Sequence, residues 1–156
     1  MHVPTGFTSA ALQTYVIYEF PFPPETPQSG RTRLATGSTN AEYDEQAHKF
    51  QLKRTDKKNQ RLIDRKDLKL TIYYKAGFLR TDKQLGVAFV KLAPLLKTSI
   101  IHESVDVYEN DHRKKPEGKL EVKIRIKEAM GAEKASQLIS QVWLVIDHFD
   151  NAVNLE

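Results

Sequence analysis

The sequence predicts an all-β fold, an antiparallel Greek-key β-sandwich with a short C-terminal helix, and three observations carry that expectation. Residues 119–127 alternate between apolar side chains (Leu120, Val122, Ile124, Ile126) and charged ones (Lys119, Glu121, Lys123, Arg125, Lys127). That is the period of a strand with one face in a core and one in water. The same period recurs in Leu68, Leu70, Ile72 and Tyr74 against Lys69, Thr71, Tyr73 and Lys75, and again in Ile101, Val105 and Val107 against His102, Ser104 and Asp106. Segments rich in turn-forming residues separate these runs at the spacing of a sandwich.

Residues 14–20 and 84–92, rich in β-branched and aromatic side chains, join the alternating runs as strands. Residues 31–36 and 46–52 complete a set of seven. Pro21, Pro23, Pro24 and Pro27 cannot donate to a ladder, so 21–30 is a connection ending at Gly30. Residues 37–44, 76–83 and 109–118 are further loops, and 53–66 is a longer one with a helical turn expected at 60–65. After Glu128 the period changes: 132–141 places Ala135, Leu138 and Ile139 on one helical face, and 142–146 is a last apolar segment expected to cover the sandwich. The expected core includes Val16, Leu70, Ile72, Val87, Phe89, Leu120, Val122 and Ile124. One domain is expected over 1–147, with 148–156 a frayed tail.

A chain of 156 residues has room for one core of ordinary size. No apolar run approaches the roughly 20 residues that cross a bilayer, and the N-terminus lacks the basic and apolar regions of a signal peptide. Absence of cysteine removes disulfides, thiolate metal sites and thiol nucleophiles, and fits a reducing compartment. The net charge of +4 conceals a partition: −2 over residues 1–50, +10 over 51–127 and −4 over 128–156. A positive centre of that size suits an anionic phospholipid membrane, an acidic protein or nucleic acid; the alternative is a solvated, lysine-rich surface.

Signatures of catalysis are missing: there is no G-x-S-x-G elbow, Walker loop or G-x-G-x-x-G turn. His2, His48, His102, His112 and His148 are scattered, with no pair at metal-ligand spacing. The expectation is a binding module with no catalytic residues, no metal and no cofactor. Its candidate membrane-binding residues are Lys75, Phe78, Leu79, Arg80 and Lys83, an apolar tip flanked by cations, together with Arg113, Lys114 and Lys115 before Pro116. Burying Phe78 or Leu79 in lipid stabilises by roughly 1.5–3 kcal/mol each, and a cation near an anionic leaflet adds about 1 kcal/mol; the alternative is that Phe78 folds back onto the core. A secondary basic patch comprises Lys53, Arg54, Lys57, Lys58 and Arg61, diluted by Asp56 and Asp64. Connections alternate between ends in an antiparallel succession, which sends the 76–83 and 109–118 loops to one end and 53–66 to the other.

The succession "TYVIYEF", a Pro-rich connection, "RTRLATGSTNAEYDE", "HKFQL", "LKLTIYY", a loop and "QLGVAFVKL" resembles a C2 domain. More narrowly, "YEFPFP", "YKAGFLRTDKQLGVAFVKL", "KKPEGKLEVKIRIKE" and "WLVID" resemble the coiled-coil and C2 domain-containing family over nearly all of residues 14–147. The resemblance implies a cytoplasmic regulator of endosomal sorting, peripheral to endosomal or plasma membrane. It implies action on the core subunit of ESCRT-III through regions outside this chain, and influence on Notch receptor trafficking. It also implies loss of the calcium cage of other C2 domains, because Lys75, Gly77 and Gln13 stand at ligand positions and a further aspartate position falls at Asp82 or Lys83. One departure is that no strand-like run precedes the first loop at residues 1–13. The competing readings are a protein-interaction or stability module and the nucleic-acid-binding domain of a transcriptional repressor; no recognition helix or aromatic stacking platform favours the latter.

Overall fold

Main-chain groups of strands must find partners across strands, and the computed structural model shows where they go. It describes residues 13–22, 25–36, 40–43, 47–53, 61–75, 81–109, 116–129 and 139–150. Among these are ten strand segments: β1 (Gln13–Phe20), β2 (Gln28–Arg31), β3 (Ala35–Thr36), β4 (Asn40–Glu42), β5 (His48–Lys53), β6 (Asp67–Tyr74), β7 (Lys83–Lys91), β8 (Ile100–Tyr108), β9 (Pro116–Ile126) and β10 (Ile139–Asp150).

Two pairs of segments act as single interrupted strands. β2 and β3 both pair with β1, and the break between them is stitched by Thr32, whose N–H donates to the Val16 carbonyl at 2.9 Å while its Oγ1 accepts the Val16 N–H at 3.0 Å. β4 and β5 both pair with β10; Tyr43 lies in the break and donates its N–H to the Asp147 carbonyl at 3.0 Å. One layer thus runs β2/β3, β1, β6, β7 and the other β8, β9, β10, β4/β5, all antiparallel, with the layers joined where Val87 pairs with Tyr108.

The alternating strands place their apolar sets where expected. Val16, Leu70, Ile72, Leu120, Val122 and Ile124 are all buried in one cluster shared by both layers. An aromatic group ties the layers near one end: Phe20 stacks on Phe50 at 4.8 Å, and Tyr18 meets Phe50 edge-on at 5.3 Å. Beside it the Gln28 amide bonds both backbone groups of Gln51, donating to the carbonyl at 2.9 Å and accepting the N–H at 3.2 Å. A side chain here completes a rung between the edge segments β2 and β5, a device that occupies an otherwise open edge.

Three expectations are corrected. Strand β7 faces the other way: Ala88 and Val90, paired with Leu70 and Leu68, enter the core cluster, while Val87 pairs with Thr71 and Phe89 with Lys69 on the opposite face. Phe89 is therefore only half-buried and Val87 is buried at the β7–β8 seam rather than in the main core. The run Leu85–Val90 is apolar on both faces, so periodicity leaves its parity open. Second, Ile139–Gln141 of the expected C-terminal helix are strand; the remainder of that helix lies outside the described residues. Third, the apolar segment expected to cover the sandwich is an interior strand. β10 sits between β9 and β4/β5 and continues through a bulge to Phe149 and Asp150, past the boundary at 147. The sequence suggests seven strands with a first one wanting; in the structure the place beside β9 is filled by β10, from the C-terminal side.

The expected helical turn in the long basic connection is seen at residues 61–63, where Arg65 and Lys66 donate to the Leu62 carbonyl and Ile63 is buried. Ile124 lies at the centre of the β8–β9–β10 ladder, opposite Ile101 and Leu144. Truncating Ile124→Ala is expected to cost roughly 2–5 kcal/mol, measured by urea denaturation; a cost below that of an exposed-site control such as Lys123→Ala would contradict the core assignment.

Candidate functional site

Strand pairing decides which connections meet. Tyr74 pairs with Lys83, Val87 with Tyr108, and Tyr108 with Pro116. The strand ends that flank 75–82 and 109–115 are therefore at one end of the sandwich, as the alternation of connections predicts. Lys53, Asp67, Lys91 and Ile100 mark the opposite end, through the pairs Ile139 with Lys53, Asp67 with Lys91 and Ile100 with Arg125. Of the candidate membrane-binding residues, Lys75 and Lys83 are exposed at the first end; Phe78, Leu79, Arg80, Arg113, Lys114 and Lys115 lie outside the described residues. Of the secondary patch, the Lys53 backbone closes β5 and Arg61 is exposed on the helical turn at the far end; Arg54, Lys57 and Lys58 lie outside the described residues. Among the described residues, Lys75 and Lys83 thus lie at one end and Arg61 at the other.

The base of the 75–82 connection is held by groups that the sequence does not pick out. Lys75 donates its N–H to the Gln13 carbonyl at 2.9 Å. The Tyr15 hydroxyl donates to Asp82 Oδ2 at 2.7 Å, its ring stacks on Tyr73 at 5.7 Å, and the Arg31 guanidinium lies 5.1 Å from the ring centroid. β1 and β6 position this group by register, since Tyr15 is opposite Tyr73 and Ile17 opposite both Thr71 and Arg31. Tyr15 is buried; that burial, together with its hydrogen bond to the Asp82 carboxylate, pushes its pKa from 10.0 up to about 12. Tyr43 is also buried and shares a 2.8 Å hydrogen bond with Thr14 Oγ1; burial pushes its hydroxyl up as well.

Asp82 is the carboxylate nearest the expected metal-ligand positions, and it is engaged by Tyr15. Among the described residues no group of three or more His, Asp or Glu side chains is placed to hold a metal ion. A cleft of about 270 Å³, lined by Phe89, Ser104, Val105, Asp106 and Tyr108, opens beside the β7–β8 seam. Among the described residues its lining holds one carboxylate, Asp106, which pairs with Lys119 at 3.5 Å, and no basic side chain, which does not suit an anionic ligand.

These features define an all-β antiparallel sandwich with cationic loop bases at both ends. No family model matches the chain. It is 37% identical over 93% of its length to the coiled-coil and C2 domain-containing protein 1B of Xenopus laevis, covering 17% of that protein. It is 34% identical over 92% of its length to human coiled-coil and C2 domain-containing protein 1B, covering 16%, and 37% identical over 87% of its length to the Drosophila melanogaster protein 1-like member, also covering 16%. A solved structure of CC2D1B, a protein that coordinates ESCRT-III activity during the mitotic reformation of the nuclear envelope, superposes with a TM-score of 0.73 at 30% identity, over 93% of this chain and 59% of that one. The coiled-coil and C2 domain-containing proteins 1 are thus homologues of this chain over most of its length, and the chain spans about a sixth of the length of these relatives.

Tyr15 supplies a pH signature. A folded pKa above the unfolded one means that its contribution to stability is complete below pH 10 and is lost as pH rises from there towards about 12. The melting midpoint is expected to fall over that window, and Tyr15→Phe to flatten part of the fall, as followed by thermal melts alongside phenolate absorbance. An unchanged pH profile in Tyr15→Phe would show that the Tyr15–Asp82 contact is not formed in solution.

Proposed function

We infer that this chain is a C2-type module which docks, without calcium, on anionic phospholipid membranes of the phosphoinositide type, within a regulator of ESCRT-III. The observation that carries this reading is the meeting of strand ends. The connection containing Phe78 and Leu79 and the connection containing Arg113, Lys114 and Lys115 leave the sandwich from the same end, where Lys75 and Lys83 are exposed. Apolar insertion and charge attraction are then available to one surface, and each strengthens the other because a charged loop is drawn to the headgroups before its apolar residues enter.

The chemistry at the loop base supports calcium independence as part of this reading. A hard cation needs six to eight oxygen ligands, whereas the resemblance to C2 domains puts Lys75 at one such position, and Asp82 accepts the Tyr15 hydroxyl. No helix among the described residues is long and apolar enough to cross a membrane, which fits a peripheral mode of attachment. Homology to CC2D1B, a protein that coordinates ESCRT-III activity during the mitotic reformation of the nuclear envelope, supports a place in ESCRT-III regulation; the reading extends that place to endosomal sorting and Notch receptor traffic. Contact with the ESCRT-III core subunit falls to regions outside this chain, and the domain itself is a non-catalytic anchor.

Replacing Phe78 and Leu79 together by Asp is expected to abolish cosedimentation with phosphoinositide-bearing vesicles and to leave the thermal midpoint nearly unchanged. Reversing Lys57 and Lys58 to Glu, in the connection that follows β5, is expected to matter much less. Pelleting that requires added calcium, or that survives the double substitution, would overturn the reading.

A further inference from the structure

The outer face of the second layer has no part in the loop-end reading, and register builds a distinct surface there. Residues directly paired across antiparallel strands project from the same face. Ile100 of β8 pairs with Arg125 of β9, Arg125 with Trp143 of β10, and Trp143 with Lys49 of β5, giving one row across four strands. Lys123 lies two residues from Arg125 on the same side of β9, Lys127 follows just past the end of that strand, and all three cations and Lys49 are exposed. The Arg125 guanidinium lies 4.5 Å from the Trp143 ring centroid, and Ile100 is 45% exposed, the larger of the two exposed large hydrophobics among the described residues. None of the four cations forms an ion pair with a described carboxylate. The nearest acid along β9, Glu121, is held at 2.7 Å by His102 Nε2.

The geometry points to a docking site for an acidic amphipathic helix of a protein partner on this face. Size favours a single helix. Four strands about 4.8 Å apart present a strip about 14 Å across, wide enough for one helix of about 10–12 Å diameter and too narrow for a globular domain to bury a standard interface. Spacing favours carboxylates: alternate residues on β9 set Lys123 and Arg125 about 6.6 Å apart, close to the rise of about 6 Å between positions i and i+4 of a helix. Charge complements the acids, while Ile100 and the Trp143 ring supply the apolar contact. A membrane is the poorer occupant, because Trp143 is half-buried beneath Arg125 and projects no wedge. The face is also a flank that runs along the strands, so a helix could bind it whichever surface engages the strand-end loops.

The test uses the full chain and a fluorescein-labelled helical peptide with Glu at every fourth position and Leu along the adjoining stripe. Saturable binding is expected, with a shift in the emission of Trp143, the sole tryptophan. The exposed double variant Lys49→Glu with Lys123→Glu is expected to weaken binding roughly tenfold or more without altering the thermal midpoint, and Phe78→Asp with Leu79→Asp to leave it unchanged, which separates this site from the loop end. The proposal is overturned if the Gln-for-Glu peptide binds equally well, or if the Glu peptide leaves Trp143 emission unmoved. Movement of Trp143 emission by phosphatidylserine vesicles or single-stranded DNA, but not by the peptide, would assign the face to lipid or nucleic acid instead.

Discussion

Pairing of β10 along both of its edges is the constraint on which the rest of the sandwich depends. Val142 lies between Ile126 and Phe50, and Leu144 between Ile124 and His48. One strand thereby satisfies the backbone of β9 on one side and of β4/β5 on the other, and its inward residues Val142, Leu144, Ile146 and Phe149 complete the cluster against which the first layer packs. Without β10 the second layer would lose its middle. β5 would have no ladder, and the aromatic contacts between Phe50 and Phe20 would have no platform. The same strand carries Trp143 outward beneath Arg125, so core and outer face are built by one alternation.

The basic centre of the sequence is distributed by topology rather than collected. Antiparallel connections send Lys75 and Lys83 to one end and Arg61 to the other, while the strand period sets Lys123 and Arg125 along a flank. These groups are separated by more than the Debye length of about 8 Å at physiological ionic strength wherever they lie at opposite ends of a strand of eight or nine residues. Lys75 and Lys83 therefore act on surroundings of their own, apart from those of Arg61. A chain of this kind can meet anionic partners on more than one surface without the charges competing for one ligand.

Much of the architecture was legible in the sequence. The alternation at 119–127 and 68–74 identified the strands and assigned their inward sides, because charge on one face leaves a single way to bury the other. Where both faces are apolar that logic has nothing to grip. Val87 and Phe89 were given the inward parity that belongs to Ala88 and Val90, and residues 142–146 read as a cover rather than as a strand because Trp143 and Val145 are apolar on the outer side as well. The grouping of loop ends was readable from strand counting alone. The Tyr15–Asp82 contact was not, since 67 residues separate its partners and only register brings them together. The row from Ile100 to Lys49 escaped notice for the same reason: its members come from four strands whose pairing order differs from their order in the chain.

The loop base also shows how such an end can be organised without a cation. In a calcium-binding arrangement clustered carboxylates repel one another, and the bound ion gathers them. Here the Asp82 carboxylate meets a neutral phenol, whose hydroxyl donates to it at 2.7 Å. Tyr15 is fixed by its stack on Tyr73 and by Arg31 over its ring, and Arg31 in turn is placed by pairing opposite Ile17. The order supplied elsewhere by an ion is supplied by strands that must pair for other reasons, so the base of the loop is set whenever the sandwich is folded. On the reading proposed for this chain, recruitment is then governed by the charge of the membrane and not by the level of calcium.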